Sequence, residues 1–264
     1  MGQDTVGRSD RGCQLGGVAA SPKQNDHTKM KSHRAPGGNN RRPGAAAKAP
    51  VATVTAAPAR LVAEEAVRFG VAVAPPTMDA LLVYFEMLLR WGARINLTAA
   101  RSLPALATDH LPDALALAAR FALREAIDPA FGRRCLDAGA GGGLPGIPLA
   151  LLRPELSLIL VEVTAKKAAF LRTAVRELGL EGRVQIEHRR LATEGEVGGF
   201  DVAMSRAMLP PDEWLPLGRS LVRPGGVVFC LSARRLEREP AGLELVSQES
   251  YRNDRWLAEL RRST

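Results

Sequence analysis

The run Cys135-Leu136-Asp137-Ala138-Gly139-Ala140-Gly141-Gly142-Gly143-Leu144-Pro145-Gly146 joins one carboxylate to five glycines. An apolar strand that runs into such a turn and then into a helix makes a ligand cradle. Glycine lets the backbone pass close to a bound molecule, and the helix start behind it offers free N–H groups. Two cofactors fit the spacing. Gly141, Gly143 and Gly146 satisfy the dinucleotide pattern GxGxxG, whereas Asp137-x-Gly139-x-Gly141-x-Gly143 is the pattern of S-adenosylmethionine sites. A carboxylate at the strand end repels a pyrophosphate and attracts an ammonium or sulfonium, which favours the methyl donor. Pro145 and Pro148 suit the first turn of the helix, where backbone N–H groups have no intrahelical partner.

Further along, Glu162 closes the apolar strand Leu158-Ile159-Leu160-Val161, where a carboxylate can take both ribose hydroxyls of an adenosine cofactor. His188-Arg189-Arg190-Leu191-Ala192 follows the next strand and is placed to read the adenine edge. Phe200-Asp201-Val202-Ala203-Met204 ends in Ser205-Arg206-Ala207, and an Arg at that crevice can contact a carboxylate or a phosphate. Lys166, Lys167, Arg189 and Arg190 also follow strand ends, so they are candidate RNA contacts on one rim. Cys230 reads as a buried strand residue rather than a nucleophile. With Cys13, Cys135 and Cys230 far apart and four histidines, no metal site and no disulfide framework can be assembled.

These residues need elements to hold them. Strands are expected at 134–138, 156–162, 183–188, 200–205 and 225–231, with helices at 145–152, 165–178 and 212–222, and a terminal pair of strands at 243–251 and 255–260. Strands alternating with helices predict an α/β fold: a doubly wound, Rossmann-like parallel sheet covered on both faces. Before it, Leu61 to Phe69, Leu81 to Leu89 and Asp113 to Leu123 have helical periodicity, so residues 59–128 are expected to form an N-terminal helical subdomain and 129–264 the catalytic domain.

Residues 1–58 carry no periodicity and are expected to form a disordered basic tail, without the apolar core of a secretory signal. Nine Lys and Arg against three Asp in residues 1–50 account for most of the formal +8 charge, so bulk basicity says little about the folded part. Charged residues interrupt every apolar stretch, which predicts no membrane span.

The combination Leu136-Asp137-x-Gly139-x-Gly141-x-Gly143-Leu144-Pro145-Gly146-Ile147-Pro148-Leu149, Glu162 with Lys166-Lys167 and Phe170-Leu171, and Ser205-Arg206-Ala207 resembles the RsmG/GidB family (glucose-inhibited division protein B). Upstream, Trp91-x-x-x-x-Asn96-Leu97-Thr98 and His110-Leu111-x-Asp113 match the same family. The resemblance implies a class I S-adenosylmethionine-dependent methyltransferase sheet with an N-terminal helical extension. It implies transfer of a methyl group from S-adenosyl-L-methionine to N7 of a guanine in 16S ribosomal RNA, by a cytoplasmic monomer acting on that RNA or on the small-subunit particle. It also implies that Gly139, Leu144, the Leu191-Ala192 backbone and Arg206 line the cofactor site. Three departures stand out: Ser232-Ala233 replaces the family's Lys-Gly pair, Asp109 replaces an Arg, and the loop from Arg234 to Gly242 is short.

Guanine N7 is an exposed acceptor with a free lone pair, so methylation there needs no general base. Positioning and electrostatics then carry the catalysis. The sequence holds neither the Asn/Asp-Pro-Pro-aromatic stretch expected for an exocyclic amine nor the Pro-Cys expected for a pyrimidine C5. A small-molecule methyltransferase, and behind it an NAD-dependent oxidoreductase or nucleotide-binding module, are the competing readings.

Overall fold

A computed structural model describes residues 56–191, 198–252 and 254–264. Residues 1–55 of the expected tail lie outside the described residues, and its last three, Ala56 to Pro58, open the first helix, α1 (Ala56–Arg68). α2 (Pro75–Gly92) starts on two prolines and buries Leu81, Leu82, Phe85 and Leu88, the i, i+4, i+7 stripe read from the sequence. α4 (Leu111–Glu125) enters through Pro112 as anticipated. α3 (Leu103–Asp109) was not anticipated: only seven residues long, it is too short to show a period. The side chain of Ser102 caps it by accepting a hydrogen bond from the Ala105 amide at 3.3 Å.

From Arg134 onward strands and helices alternate: β1 (Arg134–Ala138), α5 (Gly146–Leu152), β2 (Ser157–Glu162), α6 (Ala165–Glu177), β3 (Val184–His188), β4 (Phe200–Arg206), α7 (Pro211–Leu221), β5 (Val222–Ser232), β6 (Leu243–Arg252) and β7 (Arg255–Arg262). They form one seven-stranded sheet in the order β3-β2-β1-β4-β5-β7-β6. The first five strands are parallel, and β7 runs antiparallel between β5 and β6. Successive strands are added to one side of β1 as far as β3 and then, from β4, to its other side; this switch in winding opens a crevice at the carboxyl ends of β1 and β4, the usual ligand position in open α/β sheets.

Alternation along the strands sends side chains to two cores. Cys135, Leu158, Leu160, Met204 and Phe229 join the core that contains α1 to α6, while Leu136, Val161, Ala203, Val228 and Cys230 face α7. The sheet is therefore covered unequally among the described residues, with six helices on one face and one on the other. β5 begins at Val222 rather than at the expected 225. Val222 pairs with Phe200 before the chain bulges through Pro224-Gly225 and resumes at Val227 opposite Val202.

A buried carboxylate fastens α4 to β7. Glu259 is fully buried, and its Oε2 lies 2.5 Å from Arg120 Nη2 while its Oε1 accepts from Arg124 Nε. Such a pair holds helix and hairpin together because either partner left alone would be a buried, uncompensated charge. Among the described residues no helix is long and apolar enough to cross a membrane.

Candidate active site

The glycine turn between β1 and α5 is left-handed at Gly139, Gly141 and Gly143, with φ of 69°, 59° and 84°. These three positions favour glycine for backbone reasons alone. Space sorts them further. A Cβ on Gly139 would meet Met208 at 2.6 Å, one on Gly143 would meet Ile147 at 2.7 Å, and one on Gly146 would meet Asp137 Oδ2 and Leu160 at 2.5 Å. One on Gly141 would meet only Gly139 O, at 3.8 Å. Gly141 thus faces open space, whereas the other glycines are needed for packing.

The turn is held from both sides. The Gly141 amide donates to Glu162 Oε2 at 2.9 Å, and the Thr164 amide to Oε1 at 2.7 Å. The Tyr84 hydroxyl of α2 donates to Gly142 O at 2.6 Å inside the core. Glu162 therefore sits at the end of β2, buried, with its carboxylate oriented by two backbone amides and with acceptor capacity left on both oxygens.

Asp137 lies beneath the turn rather than at its surface, fully buried, and its Oδ2 has no hydrogen-bond partner. Burial pushes its carboxyl up to about 7, against the opposing pull of the Gly146 amide and the Arg206 guanidinium. An orphaned buried acid under an open glycine turn fits a cationic ligand, which would stabilise the charged form. Between the ordinary carboxylate range and about 7 the folded protein holds a proton that the unfolded chain has released, so stability falls as pH rises through that window. Binding of a cation should show the opposite trend: affinity for S-adenosylmethionine is expected to rise with pH up to about 7 and then level off, with proton release on binding. Calorimetry across that range checks this, and Asp137→Asn should flatten the profile.

The second half of the site is built around Arg206, the last residue of β4. The register Ala138↔Ser205 sets it beside Gly139, and Ser205 Oγ donates to Ala138 O at 3.2 Å. Arg206 Nε lies 2.7 Å from Asp113 Oδ2, and its Nη1 lies 3.0 Å from His110 Nδ1. His110 Nε2 in turn lies 2.7 Å from Thr98 Oγ1. The other Asp113 oxygen accepts from Tyr251 Oη at 2.7 Å and from Arg255 Nη1 at 2.9 Å. Arg255 also donates to the carbonyl of Asp109, the residue that stands where an Arg was expected. Ala207, next in the chain, is left-handed at φ 54°, an uncommon backbone for a residue with a Cβ. Beyond it the Met208 side chain covers Gly139.

The family described as rRNA small subunit methyltransferase G matches residues 77–258, which span the glycine turn, Glu162 and the whole Arg206 cluster. The chain belongs to this family. The Ribosomal RNA small subunit methyltransferase G of Methylococcus capsulatus is 36% identical over 191 residues, 69% of this chain and 88% of that protein. Its counterpart from Stenotrophomonas maltophilia strain K279a is 38% identical over 179 residues, 66% of this chain and 77% of that protein. In fold the chain is similar to a crystal structure from Klebsiella pneumoniae assigned as an O-methyltransferase. The TM-score is 0.50 at 17% identity, over 73% of this chain and 92% of that one. The sheet is that of the class I methyltransferases, carrying an N-terminal helical extension.

Within this methyltransferase G framework the remaining candidates fall at several depths. Leu144 is half-buried against the core of α1 to α6, and Leu191 packs on the α7 side; Ala192 lies outside the described residues. Lys166 is exposed and Lys167 half-buried in the first turn of α6. Arg189 Nε is paired with Glu187 Oε2 at 2.7 Å, and Arg190 is exposed. These four follow β2 and β3, on the opposite side of β1 from Arg206. Cys230 is buried and its thiol is pushed up to about 12 by burial, so it stays protonated. The sequence reading does not reach the roles of Tyr251 and Arg255; it contains His110-x-x-Asp113 only as part of the family resemblance, and His110 is the cap residue between α3 and α4.

Proposed function

We propose that this protein transfers the methyl group of S-adenosyl-L-methionine to N7 of a guanine in 16S ribosomal RNA, as a cytoplasmic monomer. The observation that carries the reading is that the family match runs unbroken through both halves of the site. The cofactor supplies an electrophilic sulfonium methyl. The Gly141 face of the turn gives it room, Asp137 favours its positive charge, and Glu162 is placed to accept from its ribose hydroxyls. Gly139, Gly143, Leu144, Leu191 and Ala192 complete the cofactor site, Gly139 and Gly143 by shaping the turn.

The N7 lone pair forms the new N–C bond as the C–S bond breaks, and the positive charge passes from sulfur to the guanine ring. No proton has to leave first, so the chain's task is alignment. Holding two reactants in register can lower a barrier by roughly 7–11 kcal/mol. Arg206 supplies a fixed donor beside the turn. Lys166, Lys167, Arg189 and Arg190 form a basic rim for the RNA backbone, with the helices from Ala56 to residue 128 acting as a lobe on the methyltransferase domain 129–264 and the residues before Ala56 as a basic tail. A groove of about 810 Å³ opens past the ends of β4 and β5, between Pro210-Pro211 and the 232–240 loop. Arg234, Arg235 and Arg238 line it together with Asp212, Glu237 and Glu239, so it is not a uniformly positive surface.

The test is mass mapping of N7-methylguanosine in 16S ribosomal RNA from cells with and without the gene. One modified guanine should vanish on deletion and return on complementation. Unchanged modification would refute the assignment. Binding of the RNA should weaken steeply with salt, as a small-molecule substrate would not.

A further inference from the structure

Arginine is a long, flexible side chain, yet Arg206 is gripped on two adjacent edges of its guanidinium. Nε makes an ion-pair contact with Asp113 Oδ2 at 2.7 Å that lacks hydrogen-bond alignment, and Nη1 hydrogen-bonds His110 Nδ1 at 3.0 Å. The second contact is informative about protons. A guanidinium can only donate, so Nδ1 must carry a lone pair, and the imidazole is neutral with its hydrogen on Nε2. That hydrogen has an acceptor, Thr98 Oγ1 at 2.7 Å, which also receives the Ala100 amide at 3.1 Å. Burial first, and the positive charge of Arg206 second, hold His110 down at about 4; Asp113 and Asp109 pull it up, and Arg255 pulls it down.

The carboxylate on the other edge is itself fixed. Asp113 Oδ1 is held by Tyr251 Oη of β6 and Arg255 Nη1 of β7, so both strands of the hairpin converge on the carboxylate that pairs with Arg206. The other N–H groups of Arg206 have no partner among the described residues, and the guanidinium is close enough to Asp137 to lower its carboxyl. We infer that His110 and Asp113 are positioning residues for methyl transfer, locking Arg206 so that its spare N–H groups face the reacting pair beside the glycine turn. This rests on the function proposed above and adds to it the role of the His-x-x-Asp pair.

The test is a double-mutant cycle on the full-length protein with S-adenosylmethionine and small-subunit ribosomal RNA, read as single-turnover methylation. His110→Ala should slow the wild type about tenfold or more, on the scale of a lost hydrogen bond to a charged group. In the Arg206→Ala background it should cost nothing further, because the group it positions is gone. His110→Asn, which keeps an acceptor near Nδ1, should recover most of the rate. His110→Gln, which keeps polarity near Nε2, should not, although the two variants have similar thermal midpoints. Additive losses, or equal rates for the Asn and Gln variants, overturn the inference. Nitrogen-15 spectra of the imidazole at neutral pH give a readout that needs no turnover. A neutral ring protonated on Nε2 is expected, and a proton on Nδ1 overturns the inference. If the wild type does not methylate the RNA at all, the proposed function fails, and the spectra then decide the geometry by themselves.

Discussion

Replacing Arg206 by Ala is expected to lower single-turnover methylation by about 100- to 1,000-fold, the range measured when one preorganised donor is removed from a polar active site. Arg206 is anchored by Asp113 and His110 before any ligand arrives, so the donor it offers needs no reorganisation during the reaction. Folding should survive the change, because Asp113 keeps Tyr251 and Arg255 as partners. Arg206→Lys should rescue little. An ammonium carries its three donors on one atom and lacks the planar spread that lets a guanidinium meet Asp113 and His110 on separate nitrogens while a third nitrogen faces elsewhere. Rates, thermal midpoints and S-adenosylhomocysteine affinity for the three proteins separate these effects. A Lys variant with the wild-type rate would show that charge alone matters at this position.

The second large effect separates two glycines that sit five residues apart. Gly141→Ala places a methyl group in open space at a left-handed position, so its cost to the fold is the backbone strain of about 1–2 kcal/mol. The thermal midpoint should drop by a few degrees, roughly 2–4 °C per kcal/mol for a domain of this size. Cofactor affinity should fall on the order of a hundredfold, about 2.8 kcal/mol, because the methyl group occupies the face left for the ligand. Gly146→Ala should behave in reverse order. Its Cβ would stand 2.5 Å from both Asp137 Oδ2 and Leu160 Cδ2, an overpacking of β1 against α5 that lowers the midpoint first. Titration calorimetry with S-adenosylhomocysteine beside thermal scans distinguishes the two. Full affinity in Gly141→Ala would move the cofactor away from this face.

Much of this architecture was legible because its signals are local. The strand, glycine turn and helix at 134–152 announce themselves within twenty residues, and the alternation of β and α elements predicts the doubly wound sheet. α3 escaped because its seven residues are too few to establish a period. The early start of β5 escaped because Pro224-Gly225-Gly226 reads as a turn, and only the partner residue Phe200 makes Val222 part of a strand. The sequence marks Asp137 as an acid at a strand end before the glycine turn, but its depth is not visible there, since burial is set by what packs above it. Contacts such as Arg206 with His110 and Asp113 with Arg255 cross 96 and 142 residues. No spacing rule reaches that far. Gly139 and Gly143 illustrate the limit: composition says that glycine is required, and only the fold says that Met208, Ile147 and Leu171 require it.

The placement of β7 bears on how the protein comes into being. A strand that follows all the others in the chain fills an interior position of the sheet, between β5 and β6, and it carries both Arg255 and Glu259. A chain emerging from the ribosome therefore displays Arg206 before the groups that steady Asp113 exist. Until the hairpin arrives, β5 has an unpaired edge able to recruit a strand from another molecule, and Arg120 and Arg124 lack the carboxylate between them. β7 thus pairs with both β5 and β6, gives Arg120 and Arg124 their carboxylate, and brings Arg255 to Asp113. Copies truncated before β7 are therefore expected to lose solubility and methylation together.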